Sequence, residues 1–144
     1  MQNLTPKEGA IAHKKAQPRM KPDRVTGPKH IFAALLYSLG GIRRLWAETA
    51  FRHEVLLAVL VLGGLFALGA SAQNLVIAGV LALILIAVEA LNTAIEVLVD
   101  NASPEWSEFA RDAKDLGSLA VLCMLLANGL YLIYALYPLI FTAP

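Results

Sequence analysis

Glu89, Asn92 and Glu96 lie within residues 75–99, an otherwise apolar stretch in which carboxylates are costly to bury. Spaced three and seven residues from the first, the side chains fall within about 60° of one another on a helix, and Asp100 continues the stripe. An ionised group near mid-bilayer costs on the order of 3 kcal/mol even on permissive insertion scales. The stripe must therefore face protein, water or a cation. A polar seam joining helices would account for Asn92 alone. It accounts poorly for two carboxylates whose own and flanking apolar runs supply no Lys or Arg.

A divalent cation would provide the counter-charge. Mg2+ takes carboxylate oxygens and completes its shell with water or phosphate. Glu96 sits near one end of its run, at a depth that Glu48, ahead of the first run, could approach. Together they could hold Mg2+, and Mg2+ brings a nucleotide phosphate. Glu89 lies about two turns deeper. A carboxylate held out of water accepts a proton more readily, as a general base must. Lys114, beside Asp115 at the start of the third run, could neutralise phosphate as a point charge. Positioning, charge neutralisation and a base are most of what phosphoryl transfer requires. The motifs of soluble nucleotide-binding folds are missing: there is no GxxxxGK[ST], and His53-Glu54 is followed by Val-Leu-Leu rather than completing HExxH.

The elements that must position these groups are three apolar runs. The chain has 144 residues, of which 58% are hydrophobic and 16% charged, against about 25% charged in ordinary globular chains. Runs at residues 55–70, 75–99 and 116–141 are free of charge apart from the acidic stripe. A bilayer-spanning helix needs about 20 such residues, and Phe51 with its neighbours extends the first run. The fold class expected is an all-α membrane protein with three transmembrane helices per chain. Seven of the twelve Lys and Arg lie within residues 1–30, and none lies between Arg52 and Arg111. The positive-inside tendency then puts the N-terminus and the 100–115 loop in the cytoplasm and the C-terminus outside. The first apolar run starts too late for a cleavable signal peptide. The single cysteine, Cys123, rules out an intrachain disulfide and reads as a packing residue among apolar neighbours.

Three segments follow. Residues 1–29, rich in Lys and Pro and without hydrophobic periodicity, read as a disordered basic arm that touches anionic lipid, with no nucleic-acid partner expected. Residues 30–54 alternate apolar clusters with Arg43, Arg44, Glu48, Arg52 and Glu54. They read as an N-terminal amphipathic surface helix region, bent near Gly40-Gly41. Residues 55–141 form the membrane domain. Within the 100–115 loop, Ser103 reads as a helix N-cap with Pro104 at the first helical position. Three helices cannot enclose a sealed site for both metal and lipid, so an oligomer is expected.

The blocks E-x-AFR-x-E (Glu48 to Glu54), EALNTAIEVLVD (Glu89 to Asp100) and AKDLGSLAV (Ala113 to Val121) occur in that order. In a three-span chain they resemble the prokaryotic diacylglycerol kinases, small integral-membrane lipid kinases. The resemblance implies a homotrimer in the bacterial inner membrane with active sites shared between protomers. It implies transfer of the γ-phosphate of ATP, with Mg2+, to the hydroxyl of diacylglycerol, giving phosphatidic acid. By position it makes Glu89 the catalytic base and Glu48 and Glu96 the metal-holding carboxylates. Around ATP it adds His30, Tyr37, Glu105, Trp106, Ser107, Lys114 and Asp115. Toward the lipid it adds Ser38, Ala50, Phe51, Arg52, His53, Glu54, Asn92 and Ser118. The interval from Tyr37 to Glu48 is one residue shorter than the family's usual spacing, and His30, beside Lys29, stands where the family often has Arg. Undecaprenol kinases share these motifs and supply the alternative acceptor. A small proton-coupled exporter would use Glu89 but leave Glu48, Glu96, Lys114 and Asp115 without a role.

Overall fold

The computed structural model describes residues 29–141; of the expected disordered arm, residues 1–28 lie outside the described residues and Lys29 is already helical. They form four helices: α1 Lys29–Leu45, α2 Thr49–Ala67, α3 Ala72–Ala102 and α4 Glu108–Phe141. There is no strand among the described residues. Helices α2, α3 and α4 are each long and apolar enough to cross a membrane. At 1.5 Å per residue, α2 is about 28 Å long, close to the ~30 Å hydrocarbon core, whereas α3 and α4 reach about 46 and 51 Å.

α1 runs unbroken through Gly40-Gly41, contrary to the bend expected there. Glycine costs a helix interior only about 1 kcal/mol, and the flanking turns continue through it. The chain instead breaks at residues 46–48. Backbone N–H groups of Trp46, Ala47 and Glu48 donate back to Ile42, Arg44 and Leu45, and Glu48 takes an extended conformation (φ −79°, ψ 133°). The Trp46 and Phe51 rings meet edge-on across this corner at 6.0 Å.

α2 and α3 form a tight hairpin. Gly69 has φ +76°, the left-handed conformation that glycine adopts without penalty. Around it Ala70 N–H bonds Leu65 O (2.9 Å) and Gly69 N–H bonds Phe66 O (3.0 Å), the paired closure of a helix C-terminus. Ser71 then caps α3 by accepting from Asn74 N–H at 3.3 Å. Residues 72–74, which lie between the first two apolar runs, are therefore already helical.

Residues 103–107 also depart from expectation. Ser103 N–H still bonds Val99 O at 2.8 Å, so Ser103 ends α3 and does not begin α4. Pro104, without an N–H, stops the helix there. The Ser103 hydroxyl binds Glu105 O and the Ser107 hydroxyl. Ser107 is the residue that caps α4, accepting from Ala110 N–H at 3.2 Å.

α3 is the central element, packed most extensively on α4 and then on α2. Toward the hairpin end the core is Leu65, Ala78 and Ala135, flanked by Val61, Leu75, Tyr131 and Leu132. Two polar ties accompany it: Asn128 Nδ2 donates to Met124 O (2.8 Å) and Leu81 O (3.4 Å), and the Tyr131 hydroxyl donates to Asn74 O (3.2 Å). Most large apolar side chains, such as Leu60, Leu83 and Leu126, instead point outward, as lipid-facing surfaces do. Ala135 has no exposed surface, so Ala135→Leu has nowhere to put its added volume. It should destabilise the detergent-solubilised protein by about 1–3 kcal/mol, read as a lowered unfolding midpoint, while the same change at exposed Gly64 leaves the midpoint within experimental scatter.

Candidate active site

The acidic stripe faces inward. Glu89 is 4% exposed, Thr93 5% and Asn92 8%, whereas Leu91 and Leu98 on the opposite side of α3 are largely exposed. From α2, the buried Glu54 (6% exposed) reaches the same interior, where the charge of Glu89 acts on it. Glu96 and Glu48 also lie within electrostatic reach of Glu89, Glu96 the more strongly. Four carboxyl groups from α2, the α1–α2 corner and α3 thus converge on one region of a single protomer. Like charges brought together out of water repel, so an arrangement of this kind is held by the surrounding packing or by a cation.

Each carboxylate has a defined local partner or none. Glu48 precedes α2 and accepts a hydrogen bond from Arg44 through Oε1, which fixes the side of α1 on which Arg44 lies. Glu96 Oε1 accepts from Asn92 Nδ2 at 3.2 Å. Glu54 Oε2 is buried without a hydrogen-bond partner, and so is Asn92 Oδ1. Among the described residues no three His, Cys, Asp or Glu side chains form a metal-holding group. Two carboxylates nevertheless match Mg2+, which is ordinarily held by one or two of them with waters and substrate phosphates.

At the end of the α3–α4 pair away from the hairpin, Lys114 Nζ lies 2.5 Å from Asp100 Oδ1. The stripe that starts at Glu89 therefore ends in an ion pair to α4, and the charge of Glu96 reaches Lys114 as well. Glu54 also lines a cavity of about 120 Å3 between α2, α3 and α4, whose walls are otherwise mostly apolar (Leu57, Ala58, Ala82, Leu85 and Leu125 among them).

The remaining expected residues do not join this cluster within one protomer. Tyr37 and Trp106 are strongly exposed, as are Arg43, His53, Glu105, Asp115 and Ser118. The Ser38 hydroxyl donates to Ala34 O of its own helix at 3.0 Å. Arg52 donates to the Thr49 hydroxyl at 3.2 Å. Ala50 is exposed beside buried Phe51, and Ser107 serves as the α4 cap. His30 belongs to α1, but its side chain lies outside the described residues. Two participants were not singled out from sequence, the Asp100–Lys114 pairing and Gly117. A glycine inside a long helix is itself a signal of close approach, and Gly117 is buried against Asn92.

Comparison with known proteins identifies the family. Residues 36–136 match the family model described as prokaryotic diacylglycerol kinase. A protein named diacylglycerol kinase from Sinorhizobium sp is 47% identical over 78% of this chain and 82% of its own length. Those of Escherichia coli K12 (41% identical, 69% and 83%) and Haemophilus influenzae (35%, 74% and 92%) carry the same name. The matched region runs from α1 to the last turns of α4 and contains the whole carboxylate cluster. With its three long apolar helices, the chain is a membrane enzyme that belongs to the prokaryotic diacylglycerol kinase family.

Proposed function

We propose that this enzyme transfers the γ-phosphate of ATP to the free hydroxyl of diacylglycerol, yielding phosphatidic acid and ADP, with Glu89 as general base. The observation that carries the reading is the burial of Glu89 and Glu54 within an apolar bundle, with the half-buried Glu96 and Glu48 in electrostatic reach of Glu89, at the end where Lys114 meets Asp100. Glu89 takes the proton of the acceptor hydroxyl, whose oxygen forms the new bond to phosphorus as ADP leaves. Glu54, buried with one oxygen unpartnered, is available to accept a hydrogen bond from a lipid hydroxyl and so orient it. The apolar cavity that Glu54 lines suits the adjoining hydrocarbon.

Glu48 and Glu96 are the residues that would hold Mg2+. Bound there, Mg2+ supplies charge neutralisation for the phosphates. Arg44 and Asn92 orient the two carboxylates. Lys114, released from Asp100 or shared with it, attracts the nucleotide as a point charge. The exposure of Tyr37, Trp106 and Asp115 on one protomer supports a homotrimer in which a neighbouring chain completes each site. In this arrangement α1 lies on the inner face of the bacterial inner membrane, the basic segment before it is cytoplasmic, and the C-terminus is outside.

The purified protein in mixed micelles with MgATP should phosphorylate diacylglycerol faster than undecaprenol, compared side by side; the reverse order would reassign the acceptor. Glu89→Gln should lower turnover about 10²–10⁴-fold, and undiminished turnover would remove Glu89 from its role. Co-assembly of Glu89→Gln with Asp115→Asn protomers should recover part of the activity, since some sites then draw an intact Glu89 and an intact Asp115 from different chains. Replacement of buried Glu54 by Leu should stabilise the fold by about 1–3 kcal/mol, seen as a raised unfolding midpoint, while turnover falls.

A further inference from the structure

Gly117 sits in the third turn of α4, inside a 34-residue helix, where glycine is about 1 kcal/mol less favourable than alanine. Something must require it. A Cβ built at Gly63, Gly64 or Gly129 meets nothing within 4 Å, but at Gly117 it collides with Asn92 Oδ1 and comes within 3.3 Å of Asn92 Cγ. The direction that a methyl group would occupy therefore points at the amide oxygen. In glycine that direction holds a Cα–H, and Cα–H···O contacts recur where helices approach closely.

The Asn92 amide has two unlike ends. Nδ2 donates to Glu96 Oε1 at 3.2 Å, while Oδ1 is buried with no conventional partner. Turned over, the amide would set its oxygen against a carboxylate oxygen, two acceptors facing each other. The observed orientation thus needs a place for Oδ1, and the bare Cα of Gly117 is that place. We propose that Gly117 is a positioning residue: by leaving room for Asn92 Oδ1 it keeps Nδ2 directed at Glu96, and so holds that carboxylate in the orientation in which it binds the metal. The inference rests on the assignment of Glu96 to Mg2+. It adds a residue on α4 to a metal site built from the α1–α2 corner and α3.

A side chain at Gly117 drives the amide away, Glu96 loses its donor, and metal affinity falls. Loss of such an outer partner commonly costs 10–100-fold in affinity. The test is binding of Mn2+, followed by electron paramagnetic resonance, to the full-length protein in detergent with a non-hydrolysable ATP analogue. Gly117→Ala and Asn92→Ala should each weaken Mn2+ binding about tenfold. The double variant should lose no more than either single one, because both changes break one relay. Gly64→Ala should bind as the parent does. Parent-like Mn2+ affinity in Asn92→Ala, or fully additive losses in the double variant, would overturn the proposal. If Gly117→Ala does not fold, the Asn92→Ala result decides alone. Glu96→Gln separates the two levels: unchanged Mn2+ binding there removes the metal assignment itself. Lost binding in Glu96→Gln with parent-like binding in Asn92→Ala removes only the relay.

Discussion

Keeping carboxyl groups out of hydrocarbon is the constraint around which this molecule is arranged. A helix carrying Glu89, Asn92 and Glu96 on one side cannot present that side to lipid without a cost of several kcal/mol. α3 therefore lies between α2 and α4, with its polar stripe turned inward and its leucines outward. The long α3–α4 pairing and the tight turn at Gly69 both serve that end. What is left at the centre is neither an apolar core nor a satisfied polar network. Glu54 Oε2 and Asn92 Oδ1 have no hydrogen-bond partners, an expense that a purely structural seam would have little reason to carry.

The bundle divides its labour along its length. Toward the hairpin, Leu65, Ala78 and Ala135 pack with little or no exposure, and Asn128 and Tyr131 add polar ties between α3 and α4. Toward the other end, packing gives way to the carboxylates, and then to the Lys114–Asp100 pair. That pair is partly solvated, so it contributes little to stability. Its value lies in where it keeps a cation: on α4, within the field of Glu96. Apolar packing and the charged cluster are thus separated by a few helical turns of the same three elements.

Much of this was legible in the sequence because membranes make sequence unusually informative. The three spans follow from the length of the apolar runs, and the inward face of α3 follows from helical spacing alone. The boundaries were less legible. Gly40-Gly41 looked like a bend, yet a helix accommodates two glycines when neighbouring turns support it, and the corner formed instead at residues 46–48, where Trp46 and Phe51 meet. Ser103 looked like a cap, but the hydrogen bond of its N–H to Val99 O belongs to the preceding helix, and Ser107 takes the role. Both alternatives are chemically sound locally, and tertiary packing selects between them. Gly117 was legible only in part, since the sequence marks a helical glycine but not the amide it faces.

The unequal lengths of the helices carry one more implication. α3 and α4 exceed the hydrocarbon thickness by about 16–21 Å, and the charged residues Asp100, Glu108 and Lys114 lie at the end away from the hairpin. Glu96 lies toward that end and Glu89 about 10 Å deeper along the axis, among apolar turns. A water-soluble reactant can arrive from one phase and a membrane-dissolved one from the other, neither ever changing phase. Catalysis on such a protein is two-dimensional for one partner, governed by its mole fraction in the bilayer rather than by its concentration in the surrounding volume.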